Sequence, residues 1–186
     1  MNSMTFFDEN GIFTETEHYL IRKILPKDRP YYEKLALHTL PDFLELPQDA
    51  QERAVFHVWD TLQEEEHLTC TILTKADNAF CGFCQLQWIA SPVPEIGIAL
   101  LPAFQKQGIA LEVLPAFMRQ AKKILPISHF TAKIKQNNLP SQQLAEKIGG
   151  ICISTNAPFP KDLPPELRAF AEKELKSFIY LEYHFY

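Results

Sequence analysis

The rhythm of apolar and polar positions changes along the chain, and each change marks an element. Residues 19–25 (YLIRKIL) form an apolar-rich run stopped by Pro26, which predicts a first strand. Over 27–40, Leu35, Leu37 and Leu40 alternate with charge in a helical manner, and Pro41 ends the pattern. Residues 48–66 place Ala54, Val55, Val58, Trp59 and Leu62 on one face of a second amphipathic helix. Two strands follow at 68–74 and 80–89, joined by a turn at Asp77-Asn78. After a second turn, Ser91-Pro92-Val93-Pro94, a strand at 95–101 is halted by Pro102.

From 108 to 124, Ala110, Val113, Leu114, Phe117, Met118, Ala121 and Ile124 follow the i, i+3, i+4, i+7 rule of a helix. Pro115 lies inside it and is expected to remove one bond and kink it. A strand at 127–134, a helix at 140–148 closed by Gly149-Gly150 and a strand at 151–155 come next. The proline-rich stretch 156–165 leads to a short helix at 166–176, striped by Leu167, Phe170, Ala171 and Leu175, and an aromatic strand at 177–186. The N-terminal stretch to about Glu17 is polar apart from Phe6, Phe7 and Phe13, so a loosely docked arm is expected. Consecutive strands that then alternate with helices predict one α/β domain over residues 1–186, built on a mixed sheet.

Composition narrows the function classes. The formal charge of −5 lacks the dense basic surface that nucleic acids or anionic membranes require, so neither is expected as a partner. Residues 1–10 carry Asp8 and Glu9 and no secretory pattern, and no apolar run is long enough to span a bilayer. The expectation is therefore a cytoplasmic protein with reduced cysteines. The six glycines form no dinucleotide fingerprint, P-loop or nucleophile elbow.

The informative stretch is 95–113, EIGIALLPAFQKQGIALEV: a strand ends at a proline, and a polar loop leads to Gly108 at the mouth of a helix. A helix opening presents unpaired N–H groups and a positive dipole end to phosphate, and a glycine lets the ligand approach the backbone. Side-chain donors from Gln105, Lys106 and Gln107 can add to it. An ordinary strand–loop–helix connection would look similar from spacing alone.

Gln105-Lys106-Gln107-Gly108-Ile109-Ala110 fits the Q/R-x-x-G-x-G/A signature of the GNAT superfamily of acyl-CoA-dependent N-acyltransferases, which the sequence resembles. Leu100-Leu101-Pro102 is similar to that family's V-x-P strand end, and residues 138–149 (NLPSQQLAEKIG) to its N-x-x-S-x-x-L-x-E-K-x-G segment. Glu95-Ile96-Gly97 and Glu112 most resemble the branch that acetylates ribosomal-protein N-termini, and the likeness spans roughly residues 19–155. The resemblance implies a GNAT-type, mostly antiparallel sheet flanked by helices, with a helical insertion before the last strand.

It also implies acetyl-CoA as acyl donor, a primary amine as acceptor by direct attack in a ternary complex, and leaves a homodimer open. Backbone N–H groups of Gln107, Gly108, Ile109 and Ala110 would cradle the pyrophosphate, with Gln105 and Lys106 beside them. The backbone of Ile98 and Leu100 would pair with the pantetheine arm as an added strand, and Asn138 would contact the same arm.

For the chemistry, Glu95 is the candidate base, because Gly97 and Ala99 share its face and leave space for a substrate, or else a solvated carboxylate at a strand start. Ser141 is the candidate hydrogen-bond donor to the leaving thiolate, or else a helix-start hydroxyl bonded locally. A backbone N–H at a bulge in the 95–101 strand is expected to meet the oxyanion. Leu144 and Ala145 stand where many family members place a tyrosine, and Gly150 stands for their usual aromatic residue. A catalytically silent acyl-CoA-binding module is the alternative those departures keep open.

Cys81 and Cys84 form a C-x-x-C spacing, but strand alternation would set them on opposite faces, so they are expected to be packing thiols with no metal. His57 and His67 are expected at the surface, the acidic run 64–66 at a solvated helix end, and Glu112 as a complement to the helix dipole. The resemblance sets the insertion around 156–176 beside the acceptor site, as a lid or specificity element, with simple packing on the sheet as the alternative reading.

Overall fold

Period-two runs become strands and period-3.6 runs become helices nearly where the pattern places them. The computed structural model describes residues 6–39, 47–157 and 180–186. In chain order they form β1 (Ile12–Glu15), β2 (Tyr19–Lys23), α1 (Arg29–Thr39), α2 (Gln48–Thr61), β3 (His67–Thr74), β4 (Phe80–Gln87), β5 (Glu95–Leu100), α3 (Ile109–Ile124), β6 (Phe130–Lys135), α4 (Leu139–Lys147), β7 (Ile151–Ala157) and β8 (Tyr180–Phe185). One eight-stranded sheet runs β1-β2-β3-β4-β5-β6-β8-β7. Every neighbouring pair is antiparallel except β5–β6. The helix expected at 166–176 lies outside the described residues, as does all of the segment 156–176 beyond the end of β7.

Each face of the sheet carries a helix layer. On the first, α3 lays Val113, Phe117 and Ala121 against Cys70, Ile72, Cys84, Leu86 and Ile96, and α4 adds Ala145. On the second, Tyr32 and Leu35 of α1 and Trp59 of α2 cover Leu73, Phe80 and Leu101. The Tyr32 ring stacks on Phe83 with centroids 5.2 Å apart and meets Trp59 edge-on at 5.6 Å. This second core is the smaller of the two, and it leaves part of the sheet's polar face for other use.

Beneath α1 lies a buried polar network. Arg22 grips Asp28 bidentately, Nη1–Oδ2 at 2.7 Å and Nη2–Oδ1 at 2.8 Å. The Leu25 N–H (2.9 Å) and the Thr71 hydroxyl (3.2 Å) also donate to Asp28 Oδ2, and Tyr32 Oη lies 3.0 Å from Thr71 Oγ1. Burial disfavours the Asp28 charge, but the Arg22 guanidinium and these donors outweigh it and hold the carboxyl below its ordinary range. Burial also pushes the Tyr32 phenol well above its usual value.

Four expectations are corrected. The N-terminal arm is docked: β1 pairs with β2, and Phe13, only 3% exposed, packs on Phe117 at 5.0 Å. The second helix stops at Thr61, so the 64–66 run belongs to the turn that feeds β3. His67 is buried on β3 rather than at the surface. The β3–β4 register slips between Ile72↔Gly82 and Leu73↔Phe80, which makes Cys81 a bulge residue. That extra residue turns Cys81 and Cys84 onto the same face, against alternation, yet both remain packing thiols in the larger core. Burial pushes the Cys81 thiol up to about 11 and Cys84 higher still. No cluster of three metal-ligating side chains occurs among the described residues.

Gly150, where an aromatic residue is usual for the resembled family, has no room for one. A Cβ there would lie 2.6 Å from Phe185 Cε1 and 2.8 Å from the Ala145 carbonyl. Gly150→Ala is therefore expected to lower stability by roughly 1–3 kcal/mol through overpacking, read as a shifted denaturation midpoint. An unchanged midpoint would show that Phe185 gives way freely.

Candidate active site

β5 and β6 pair at a single position, Glu95↔Thr131, and then separate. Thr131 N–H donates to the Pro94 carbonyl (3.0 Å), whereas Leu101 N–H donates to Cys81 on the β4 side (2.9 Å). Alternation between these two bonds turns the backbone groups of Ile98 and Leu100 toward the gap. A wedge thus opens in mid-sheet, with a strand edge along β5 that β6 does not pair. The expected bulge in β5 is absent: its register with β4 runs unbroken from Gln87↔Glu95 to Gly82↔Leu100. Separation of the strands, not a bulge, frees the donors there.

The wedge leads to the mouth of α3. Gly108 caps that helix at φ 82°, a left-handed conformation that suits glycine, and Lys106 before it has φ 59°. The first helical bond runs from the Glu112 N–H to the Gly108 carbonyl (3.2 Å), so the N–H groups of Ile109, Ala110 and Leu111 have no acceptor within the helix. Nothing lies within 4 Å of the position a Gly108 side chain would take. Gln105 Nε2 donates to the Leu100 carbonyl (2.9 Å) and Gln107 Nε2 to that of Ala103 (2.6 Å). Both glutamine side chains therefore tie the loop down, and Lys106 stays exposed beside the open N–H groups.

A cleft of about 610 Å³ runs from this loop to α4, lined by Gln105, Lys106, Gly108, Ile109 and Ala110 on one side and by Asn138, Ser141 and Lys147 on the other. A cavity of about 220 Å³ continues inward between β5 and β6. Ile98, Asn138, Ser141 and Leu144 line both, so the two spaces join. Ser141 is the one side-chain hydroxyl among the described residues lining either space. Asn138 caps α4, its Oδ1 accepting from the Ser141 N–H at 3.2 Å. Lys147 also lines the cleft. Its place in the last turn of α4 sets a second cation across the cleft from Lys106.

Glu95 stands where the wedge closes. Its Oε2 accepts from Lys133 Nζ at 2.9 Å, and the two side chains are 15% and 17% exposed. Cross-strand registers place His67, Gln87, Glu95, Thr131 and His184 in one row across the sheet. Thr69, Gln85 and Gly97 form a neighbouring row, as do Lys133 and Glu182. Tyr32 reaches Thr71 on β3 two residues from Thr69, so this polar belt lies on the α1–α2 side. Gln85 Nε2 is 3.2 Å from His67 Nδ1, while the buried His67 Nε2 makes no hydrogen bond.

Glu112 does more than complement the helix dipole. Its carboxylate takes the His18 N–H and faces His18 Nδ1, both at 3.0 Å, across 94 residues of sequence. Partial burial raises its pKa, but hydrogen bonds from Thr16 and His18 prevail and lower it. The β1–β2 turn is thereby fastened to the first turn of α3.

A family profile described as an acetyltransferase (GNAT) domain matches residues 18–151. No curated protein sequence matches significantly. Among solved structures, an acetyltransferase from Agrobacterium tumefaciens superposes with a TM-score of 0.65 at 17% identity, covering 93% of each chain. RimL, a ribosomal alpha-N-protein acetyltransferase in complex with coenzyme A, gives 0.67 at 17% identity over 93% of this chain and 96% of its own. A spermidine N-acetyltransferase from Vibrio cholerae, in complex with CoA and spermine, gives 0.66 at 11% over 89% and 94%. At such identities the likeness is one of fold. No described helix is long and apolar enough to cross a membrane.

Proposed function

The chain belongs to the GNAT acetyltransferase family and is an N-acetyltransferase that uses acetyl-CoA, and from that premise we propose which residues carry the reaction. The observation that carries the proposal is the wedge: a strand edge left unpaired by β6, an open helix mouth and a paired carboxylate meet along one continuous cleft. The open N–H groups of Ile109, Ala110 and Leu111, with Lys106 and Lys147, hold the pyrophosphate of the donor. Ile98 and Leu100 offer backbone groups to the pantetheine arm, the Leu100 carbonyl exchanging its Gln105 partner for it. Asn138 and Ser141 flank the arm where the cleft narrows.

Bound acetyl-CoA supplies an activated thioester. Glu95 takes the proton of an acceptor ammonium, directly or through water, because a protonated amine has no lone pair to attack with. The Ile98 N–H, turned into the wedge, donates to the oxyanion as it forms. Ser141 donates to the sulfur as the thiolate leaves. The polar belt on the α1–α2 side is the floor over which the acceptor arrives.

The acceptor is a primary amine, either a peptide N-terminus, as the RimL name states for that protein, or a small amine, as the Vibrio cholerae title states for its own. Thiol release from acetyl-CoA is expected to require such an amine. A panel of N-terminal peptides, amino acids and polyamines, ranked by kcat/KM, identifies the class. Release that no primary amine accelerates would contradict the proposal.

A further inference from the structure

Lys133 is the one lysine among the described residues lining the inner cavity. Parallel register at Glu95↔Thr131 carries it across the wedge from Gly97, where no side chain intervenes. Its Nζ is 2.9 Å from Glu95 Oε2, in the position an acceptor amine must reach to be deprotonated. Only a sixth of its side chain is exposed, so the amine is held at the wedge rather than sampling solvent. A primary amine, a base and the acyl end of the cleft thus meet within one chain, with no diffusing partner needed.

We propose that Lys133 is a self-acetylation site, accepting the acetyl group in cis when no outside amine occupies the belt. This rests on the reading above, in which Glu95 is the base and the wedge holds the thioester. Lys133 first gives one proton to Glu95. The freed lone pair on Nζ forms a C–N bond to the acetyl carbonyl carbon. The C–S bond breaks, and its electrons leave on the sulfur. Nζ loses a second proton as the sulfur gains one, so the products are acetyl-Lys133, coenzyme A thiol and one proton, which Glu95 returns to solvent. The modification removes the positive charge facing Glu95 and fills part of the cavity, so a preparation exposed to acetyl-CoA alone turns over more slowly afterwards. An acceptor amine added first protects it.

The test incubates the full chain with acetyl-CoA and no amine, digests it, and follows acetyl occupancy by mass spectrometry at Lys133 and at exposed Lys34 and Lys123. Melting with and without acetyl-CoA is recorded on the same samples. The expected result is acetylation of Lys133 roughly a hundredfold faster than at either exposed lysine, the size of a general-base effect. Its half-time is independent of protein concentration, as a reaction in cis requires. The rate falls to background in heat-denatured chain and in Glu95→Gln. Lys133→Arg keeps the ion pair and the melting shift but loses the modification. Lys133 acetylated no faster than Lys34 and Lys123, in protein that acetyl-CoA stabilises, would overturn this inference alone. Absence of any stabilisation would overturn it together with the cofactor site.

Discussion

Asp28→Ala is expected to destabilise the fold by about 3–5 kcal/mol, the usual consequence of removing one partner from a buried ion pair. Arg22 and Asp28 are only 10% and 4% exposed at their side chains, so alanine leaves a guanidinium in the interior with its carboxylate gone. The Thr71 hydroxyl and the Leu25 N–H lose an acceptor at the same time. Denaturant unfolding should show a lower midpoint with an unchanged slope. A loss under about 1 kcal/mol would mean that water enters and replaces the carboxylate. Because folding depresses the Asp28 pKa, its contribution is fully present above the unfolded value of about 3.9 and is lost as the pH falls through the lower folded value. Wild type should accordingly lose stability at acid pH more steeply than Asp28→Ala.

Glu95→Gln carries the largest expected effect on activity, a fall in kcat of about 10²- to 10⁴-fold. Glutamine keeps the size of the side chain and an oxygen that can accept from Lys133 Nζ, so the wedge should hold its shape. Acetyl-CoA should stabilise the variant as well as it does wild type, which separates lost chemistry from lost binding. A kcat within about threefold of wild type would assign the proton to bulk water or another group.

Elements whose information is local were legible in the residues. β2 to β5, α3 and α4 follow from periodicity and from the prolines and glycines that bound them, and the 105–110 loop follows from its motif. β1 was not legible, because a four-residue strand with one deeply buried side chain, Phe13, carries little periodic signal. Strand alternation failed at Cys81 because a bulge inserts a residue without any mark in composition. His67 was misplaced because a polar residue after an acidic run reads as surface until its strand is seen to lie under the α1–α2 layer. The pairs Glu95–Lys133, His18–Glu112 and Asp28–Thr71 each join distant segments, and no local pattern encodes them. For the site, Glu95, Gly108 and Ser141 were named from the sequence, whereas Lys133 and Lys147 emerge only once β6 and α4 are set against β5 and α3.

Binding of acetyl-CoA by the Gly108 loop and the wedge is read from thermal unfolding of wild type and Gly108→Glu, each with and without acetyl-CoA. A ligand present at about 100 times its dissociation constant adds roughly 2.7 kcal/mol to native stability, a shift of several degrees. At Gly108 a glutamate has open space for its side chain and pays only the left-handed backbone strain, roughly 1–2 kcal/mol, so the variant should still fold. Its carboxylate would occupy the helix mouth and repel phosphate. Wild type is expected to melt higher with acetyl-CoA, and the folded variant is not. Equal shifts in both proteins, or none in either at millimolar acetyl-CoA, would contradict binding at this site.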